Sequence, residues 1–423
     1  MAVVLAAALL LLSHRARADE ALTIEQALRE ARAANAQLPL GALDVASARE
    51  RLAEAKARRW LQVSLQAGLR YSPPFASYGS DVNGENLQAV VTQPLYVGDG
   101  IDARVRAAEA DVAGRTARYR ADEKSLAFEV RLRFARYEQI RESLGLRRDG
   151  LRQLEAYVTR IEERKAAGQP VTADLLKTQA RALAETATIR LLERQLAEVG
   201  LEINDLIGRE PERPLVVARL SEPAAPETVT SSSQPWRVTP DVREAAWRVR
   251  VATENVDAAT AARKPHVTAI FDAGLLGGGI GGSPSWFRTA DRLRNDAGVS
   301  AGVSLSWVVF DTGIISAQVA QARLARDRNA QALVVAERNA RLEWSRAYTL
   351  LVGTYDELQV RVRAVPMAHD AYLESTSLYR GGQGTALDVL DSYANWIVAS
   401  EARLATLFGY RAAQAALERW GTK

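Results

Sequence analysis

The sequence predicts an α+β membrane protein built from two tandem halves, each a set of long helices carrying one β-hairpin. Three observations predict it. The chain repeats itself, four segments alternate apolar and polar side chains, and the stretches between them keep apolar residues at helical spacing over unusual lengths.

The duplication is legible residue by residue. Tyr96-Val97-Gly98-Asp99-Gly100 and the following Ala103, Val105 and Ala108 find partners 214 positions on, in Phe310-Asp311-Thr312-Gly313-Ile314 and then Ala317, Val319 and Ala322. Gly168, Gln169 and Asp174 match Gly382, Gln383 and Asp388 at the same offset. Upstream, Leu61, Val63, Leu65, Gly68 and Leu69 pair with Val267, Ala269, Phe271, Gly274 and Leu275 at an offset of 206, so the second copy carries eight extra residues in one loop. A period this long makes the unit a half-domain and not a solenoid turn.

Residues 1–18 read as a signal peptide: an apolar run from Ala2 to Leu12, then Ala16-Arg17-Ala18, the small-x-small pattern of a cleavage site. Cleavage there removes Arg15 and Arg17 and takes the formal charge from +4 to +2. That balance, with no long basic run, argues against nucleic acid as a partner. The absence of Cys excludes disulfides, thiolate metal sites and lipidation of an N-terminal Cys. Beyond residue 18 no eighteen consecutive residues are apolar, so a membrane would have to be met by strands.

The first hairpin is expected over residues 61–97. Leu61, Val63, Leu65, Ala67, Leu69 and Tyr71 alternate with Gln62, Ser64, Gln66, Gly68 and Arg70; Leu87, Ala89, Val91 and Leu95 continue less cleanly, broken by Gln93 and Pro94. The second is expected over 266–310, where Val267, Ala269, Phe271, Ala273 and Leu275, then Val299, Ala301, Val303, Leu305 and Trp307, alternate with small or polar residues. Segments of about ten residues suit tilted strands across a bilayer, with Tyr71, Tyr96, Trp307 and Phe310 placed as membrane-girdle aromatics. A closed barrel needs at least about eight strands and one chain offers four, so closure requires oligomers, most simply a trimer with twelve strands. Gly277, Gly279 and Gly282 satisfy a dinucleotide fingerprint, but Ser283-Pro284-Ser285 follows where a helix should begin.

Ile101 to Ala167 contains no Pro, and Leu144, Leu151, Leu154, Val158 and Ile161 recur at coiled-coil spacing; Ile315 to Gly381 corresponds to it, interrupted at Pro366. Shorter helices are expected over Thr23–Arg59, Asp174–Ile207, Pro240–Ala262 and Asp388–Trp420, with bends or unwound turns at Gly145, Gly150 and Pro366 inside helical sequence. Two short helices end to end equal one long one, which would tile a helical cylinder of uniform height. The domain reading is therefore a first repeat over 19–207, a Pro- and Ser-rich connector or belt over 208–239, and a second repeat over 240–423.

The turn Tyr379-Arg380-Gly381-Gly382-Gln383-Gly384-Thr385-Ala386-Leu387-Asp388-Val389-Leu390-Asp391, taken with the duplicated halves and hairpins, resembles the TolC-like outer-membrane efflux proteins. The resemblance covers residues 19–423. It implies a homotrimeric conduit in the outer membrane of a Gram-negative bacterium, extending into the periplasm as an α-helical barrel and working with a periplasmic adaptor and an inner-membrane pump. It also implies a periplasmic gate, with Asp388 and Asp391 as an inward acidic ring and Tyr379 and Asp174 tying the inner helix pair to its neighbours. Gly168, Gln169, Gly382, Gln383 and Thr385 would form adaptor-docking tips. Gly384 and Ala173 depart from the family's side chains at the gate.

Read without the family, Thr385 and Asp388 form a capping box, and a carboxylate in the first helical turn favours the helix dipole. Asp391, one turn on, shares that helix face. No HExxH or Walker sequence occurs, so neither enzymatic activity nor a cofactor is expected, and His266 and His369 read as surface residues. The other reading is a soluble periplasmic coiled-coil scaffold or adaptor-like protein without channel activity.

Overall fold

The computed structural model describes residues 21–70, 84–169, 171–226, 234–278 and 297–421. The signal peptide, Tyr71 and most of the two long strand-connecting loops lie outside them. Among the described residues seven α-helices and four strands run in the order α1 (Ile24–Ala34), α2 (Gln37–Ala57), β1 (Gln62–Arg70), β2 (Gly84–Tyr96), α3 (Gly100–Ala166), α4 (Thr172–Leu206), α5 (Pro240–Ala261), β3 (His266–Gly278), β4 (Ala297–Ser306), α6 (Ile314–Arg380) and α7 (Ala386–Trp420). The duplication is metrical: α3 and α6 are each 67 residues long, and α4 and α7 are each 35.

Two compact units emerge, each drawing on both repeats: Ala42–Arg118 with Asp241–Ala336, and Met1–Gly41 with Tyr119–Pro240 and Glu337–Lys423. The first holds the sheet. Its strands run antiparallel in the order β1-β2-β3-β4, with Val63, Val91, Phe271 and Ala301 in one cross-strand row and Leu65, Ala89, Ala273 and Val299 in the next. Register thus gathers the apolar residues of all four strands onto one face, where Leu65, Val299 and Val303 are exposed. The opposite face is polar, with Gln88 Nε2 donating to Gln66 Oε1 (3.1 Å) and Ser300 Oγ to Asp272 Oδ2 (2.6 Å).

The irregularity that Gln93 and Pro94 announced is a register shift between Pro94 and Tyr96. The extra residue turns Tyr96 onto the apolar face, opposite Val267. Gln93 is tolerated beside apolar neighbours because its amide donates to the Arg59 carbonyl (2.9 Å) and the Pro94 carbonyl (3.1 Å).

In the helical unit Leu22, Ala27, Ala31, Val130, Phe134, Ile203, Ile207 and Val217 form one core, and Leu154, Tyr157, Ile161, Leu175, Tyr379, Val389, Tyr393 and Ile397 another. The connector crosses the first. Leu22 bridges Val217 in parallel, Tyr137 Oη donates to the Leu215 carbonyl (3.1 Å), Arg141 to that of Val217 (2.6 Å), and Tyr410 Oη to that of Ala224 (2.6 Å). A segment without regular structure thereby satisfies its backbone through side chains of α3 and α7.

Three sequence expectations are corrected. The helix expected over 23–59 is broken: Asn35 is extended, and its side chain accepts the Gln37 N–H (2.9 Å) to start α2. Helix α6 continues without an unwound turn through Pro366, which is exposed, as is Val362 one turn earlier. Helix α3 continues through Gly145 and Gly150. Gly150 is instead a packing requirement, since a Cβ there would lie 2.6 Å from the Tyr393 hydroxyl. Gly150→Ala should therefore destabilise the fold by about 1–3 kcal/mol as the ring is displaced. Gly145→Ala, with nothing within 4 Å, should stabilise it by up to about 1 kcal/mol. Thermal unfolding followed by far-ultraviolet circular dichroism separates the two; shifts of the same sign would refute the packing account.

Candidate gate and its helical turns

The two turns that the sequence aligned have the same geometry. At the end of α3, Gly168 takes φ +84°, its N–H donates to the Lys165 carbonyl (3.0 Å), and the Gln169 N–H donates to the Arg164 carbonyl (3.1 Å). At the end of α6, Gly382 takes φ +75°, its N–H donates to the Tyr379 carbonyl (3.2 Å), and the Gln383 N–H donates to the Leu378 carbonyl (2.9 Å). Both are Schellman closures, in which a left-handed residue folds the chain back over the last carbonyls of the helix. Glycine is required there because a Cβ disfavours that backbone region.

The copies differ in how the next helix begins. Thr385 Oγ1 accepts the Asp388 N–H (3.3 Å), and Asp388 Oδ2 accepts the Thr385 N–H (2.9 Å) and hydroxyl (2.7 Å), completing the capping box. Those contacts, the hydroxyl first, hold the Asp388 carboxyl below the usual carboxylate range. The equivalent N-cap in the first copy is Val171, which makes no side-chain cap bond. Asp391 is exposed and accepts from Asn395 Nδ2 (3.3 Å).

Tyr379 is buried, its ring edge-on to Tyr157 with centroids 5.1 Å apart. Asp174, half-buried in the first turn of α4, acts electrostatically on Tyr157; burial first, then Tyr379, push that phenol well above its ordinary range. Arg164 completes the group. Its Nε donates to Gln169 Oε1 (2.6 Å), its guanidinium lies 4.6 Å from the Tyr379 ring centroid, and it reaches the Tyr379 carbonyl (3.4 Å). The structure therefore brings Gln169, Asp174 and Tyr379 together around Tyr157 and Arg164, two residues the sequence reading did not single out. Gly168, Gly382, Gln383, Thr385, Asp388 and Asp391 are exposed and lie apart from the buried Tyr157–Tyr379 pair. Among the described residues no cluster of three or more His, Asp or Glu could hold a metal ion.

In the sheet unit, Tyr96, Trp307 and Phe310 are exposed at one end of the strands. Trp60, which precedes β1 and is 71% exposed, joins them and was missed because it falls outside the alternating run. Trp307 Nε1 donates to the Arg263 carbonyl (3.1 Å), so the ring presents its apolar body while its polar atom is satisfied.

A duplicated chain with two hairpins in one sheet and paired 67- and 35-residue helices defines a class, and the comparison agrees: the outer membrane efflux protein family model matches residues 27–209 and 237–420, and the chain belongs to that family. One relative is the pyoverdine export outer membrane protein OpmQ of Pseudomonas aeruginosa, 26% identical over 275 residues covering 63% of this chain. That match spans 56% of the relative, little more than half its length. Among solved structures, the outer-membrane channel OprN aligns with TM-score 0.82 at 20% identity over 94% of this chain and 89% of its own. The outer membrane protein VceC of Vibrio cholerae aligns with TM-score 0.80 at 19% identity over 94% and 96%. At those identities the likeness is one of fold. Among the described residues no helix is long and apolar enough to cross a membrane.

The cap has a pH signature. Because the folded state lowers the Asp388 pKa, its contribution to stability is present above the unfolded carboxylate value and is lost as pH falls through the folded value, below about 4. Thr385→Ala should cost about 1 kcal/mol at neutral pH and flatten that acid limb. Acid titrations of thermal stability for both proteins check this, and an unchanged acid limb in the variant would contradict it.

Proposed function

We propose that three copies of this chain form an outer-membrane channel, the exit duct of a tripartite efflux or type I secretion system. The observation that carries the reading is the sheet. One of its faces is exposed and apolar across all four strands, and the outer edges of β1 and β4 have no strand partner among the described residues. In lipid those edges would leave backbone groups unsatisfied, and pairing β4 of one copy with β1 of the next removes every edge in a twelve-strand barrel. A soluble scaffold has no use for such a face. Tyr96, Trp307, Phe310 and Trp60 then mark the membrane border, and the helices extend into the periplasm.

Transport in this reading is passive: the chain supplies a duct and a gate, and the energy comes from an inner-membrane pump coupled through a periplasmic adaptor at the Gly168–Gln169 and Gly382–Thr385 turns. Asp388 and Asp391 from three chains would ring the narrow end. Like charges gathered there favour bound cations. The names of the relatives, an export protein and outer-membrane channels, support the class of activity and leave the exported compound open.

Detergent-purified protein should have the mass of a trimer by light scattering. A monodisperse monomer that keeps its strand signal would overturn the assembly. Gly382→Val, which forces a β-branched residue to positive φ at a cost of about 1–2 kcal/mol, should abolish export while trimers still form. In planar bilayers Asp388→Ala with Asp391→Ala should remove block by multivalent cations, whereas wild-type block in that variant would leave both residues as helix-start carboxylates and nothing more.

A further inference from the structure

Where the strands meet the helices, a cavity of about 280 Å³ opens among Arg58, Gln62, Gly100, Arg104, Ala261 and His266. Three chain segments build it. Arg58 follows the end of α2, Gly100 and Arg104 lie on one face of the first turn of α3, and Ala261 ends α5 just before His266 opens β3. Gly100 and Ala261 are matched in size: a Cβ on Gly100 would sit 3.0 Å from that of Ala261, so small residues draw the helices together and leave the long cations at the rim.

The surrounding charges are mostly consumed. Arg59 pairs with Asp102, Arg106 with Glu254 (2.7 Å), Lys264 with Asp99 (2.9 Å), and Arg58 with Glu54 (2.7 Å). Arg104 is exposed and has no carboxylate partner among the described residues. The cavity therefore holds one uncompensated guanidinium, a second guanidinium shared with an exposed carboxylate, and an imidazole. None of the six residues named as its lining is acidic.

Its side of the sheet is defined by register. Gln62 pairs with Thr92 and His266 with Ser306, the polar set, while the apolar set faces the other way. We propose that this cavity is an anion-binding subsite on the inner wall of the conduit, taking a phosphate or carboxylate group of a passing solute on Arg104 and Arg58. The inference rests on the conduit reading and deepens it: it names anionic solutes as a cargo class. Repeated in three copies, the cations hold such a solute at the mouth of the barrel, and planar guanidinium groups suit oxyanions that accept two hydrogen bonds at once.

Inorganic tripolyphosphate is the probe. Added to wild-type channels in bilayers of zwitterionic lipid, it should reduce the current in a saturable way. Arg58→Gln with Arg104→Gln should raise the half-blocking concentration by about tenfold or more, as expected for loss of charge-assisted hydrogen bonds. Arg104→Lys alone, which keeps the charge, should retain most of the block. Absence of block, or equal block in wild type and the double variant, overturns the subsite while leaving the conduit intact. If no conductance is seen, the conduit reading fails, and calorimetry of tripolyphosphate with delipidated detergent-purified protein decides the cavity by itself: heat lost in the double variant supports it. Binding only to anionic phospholipid micelles, in wild type and variant alike, refutes it.

Discussion

An apolar sheet face with open edges is the constraint to which the rest of this chain answers. Four strands aligned in register expose one oily surface, and neither water nor lipid accepts the combination of that surface with unpaired backbone. The border of the sheet shows how closely polar groups are managed. In the first copy Gln93 donates to the carbonyl of Arg59, just after α2, and in the second Trp307 donates to that of Arg263, just after α5. Different side chains at equivalent positions, Gln93 and Trp307 being 214 residues apart, thus perform one task in the two copies, capping a preceding helix while ending the apolar face.

The helical unit shows the duplication diverging where partners differ. Both long helices close with the same left-handed glycine, because the backbone geometry of a reversing chain leaves no alternative. The helices that follow begin differently. Thr385 and Asp388 satisfy the start of α7 from within, whereas α4 begins at Val171, which contributes burial to the core shared with Tyr157 and Tyr379 instead of a cap. One copy spends its first turn on polar closure and the other on packing.

Much of this was legible in the sequence. Strand alternation placed the hairpins to within a few residues, since a face buried against lipid or protein must repeat with period two. The capping box at Thr385 was equally plain, being written in residues three apart. What escaped was non-local. Arg164 meets Tyr379 across 215 positions, and nothing near Arg164 distinguishes it from neighbouring arginines. Gly150 resembled a bend because its true reason, the Tyr393 ring, comes from another helix. The break at Asn35 was hidden by the continuous helical pattern on either side, although Asn is a residue that starts helices through its own side chain.

The equality of the helices, 67 with 67 and 35 with 35, has a mechanical meaning. Each residue added to an α-helix advances it by about 1.5 Å and turns everything beyond it by about 100°, so a single insertion rotates a buried face out of its core. Length drift in this chain is confined to a loop between strands, where the second copy carries its eight additional residues. The helices therefore act as gauge blocks. Each is fixed in length by residue count, and an engineered change of that length would have to be cut identically into both halves and by whole turns.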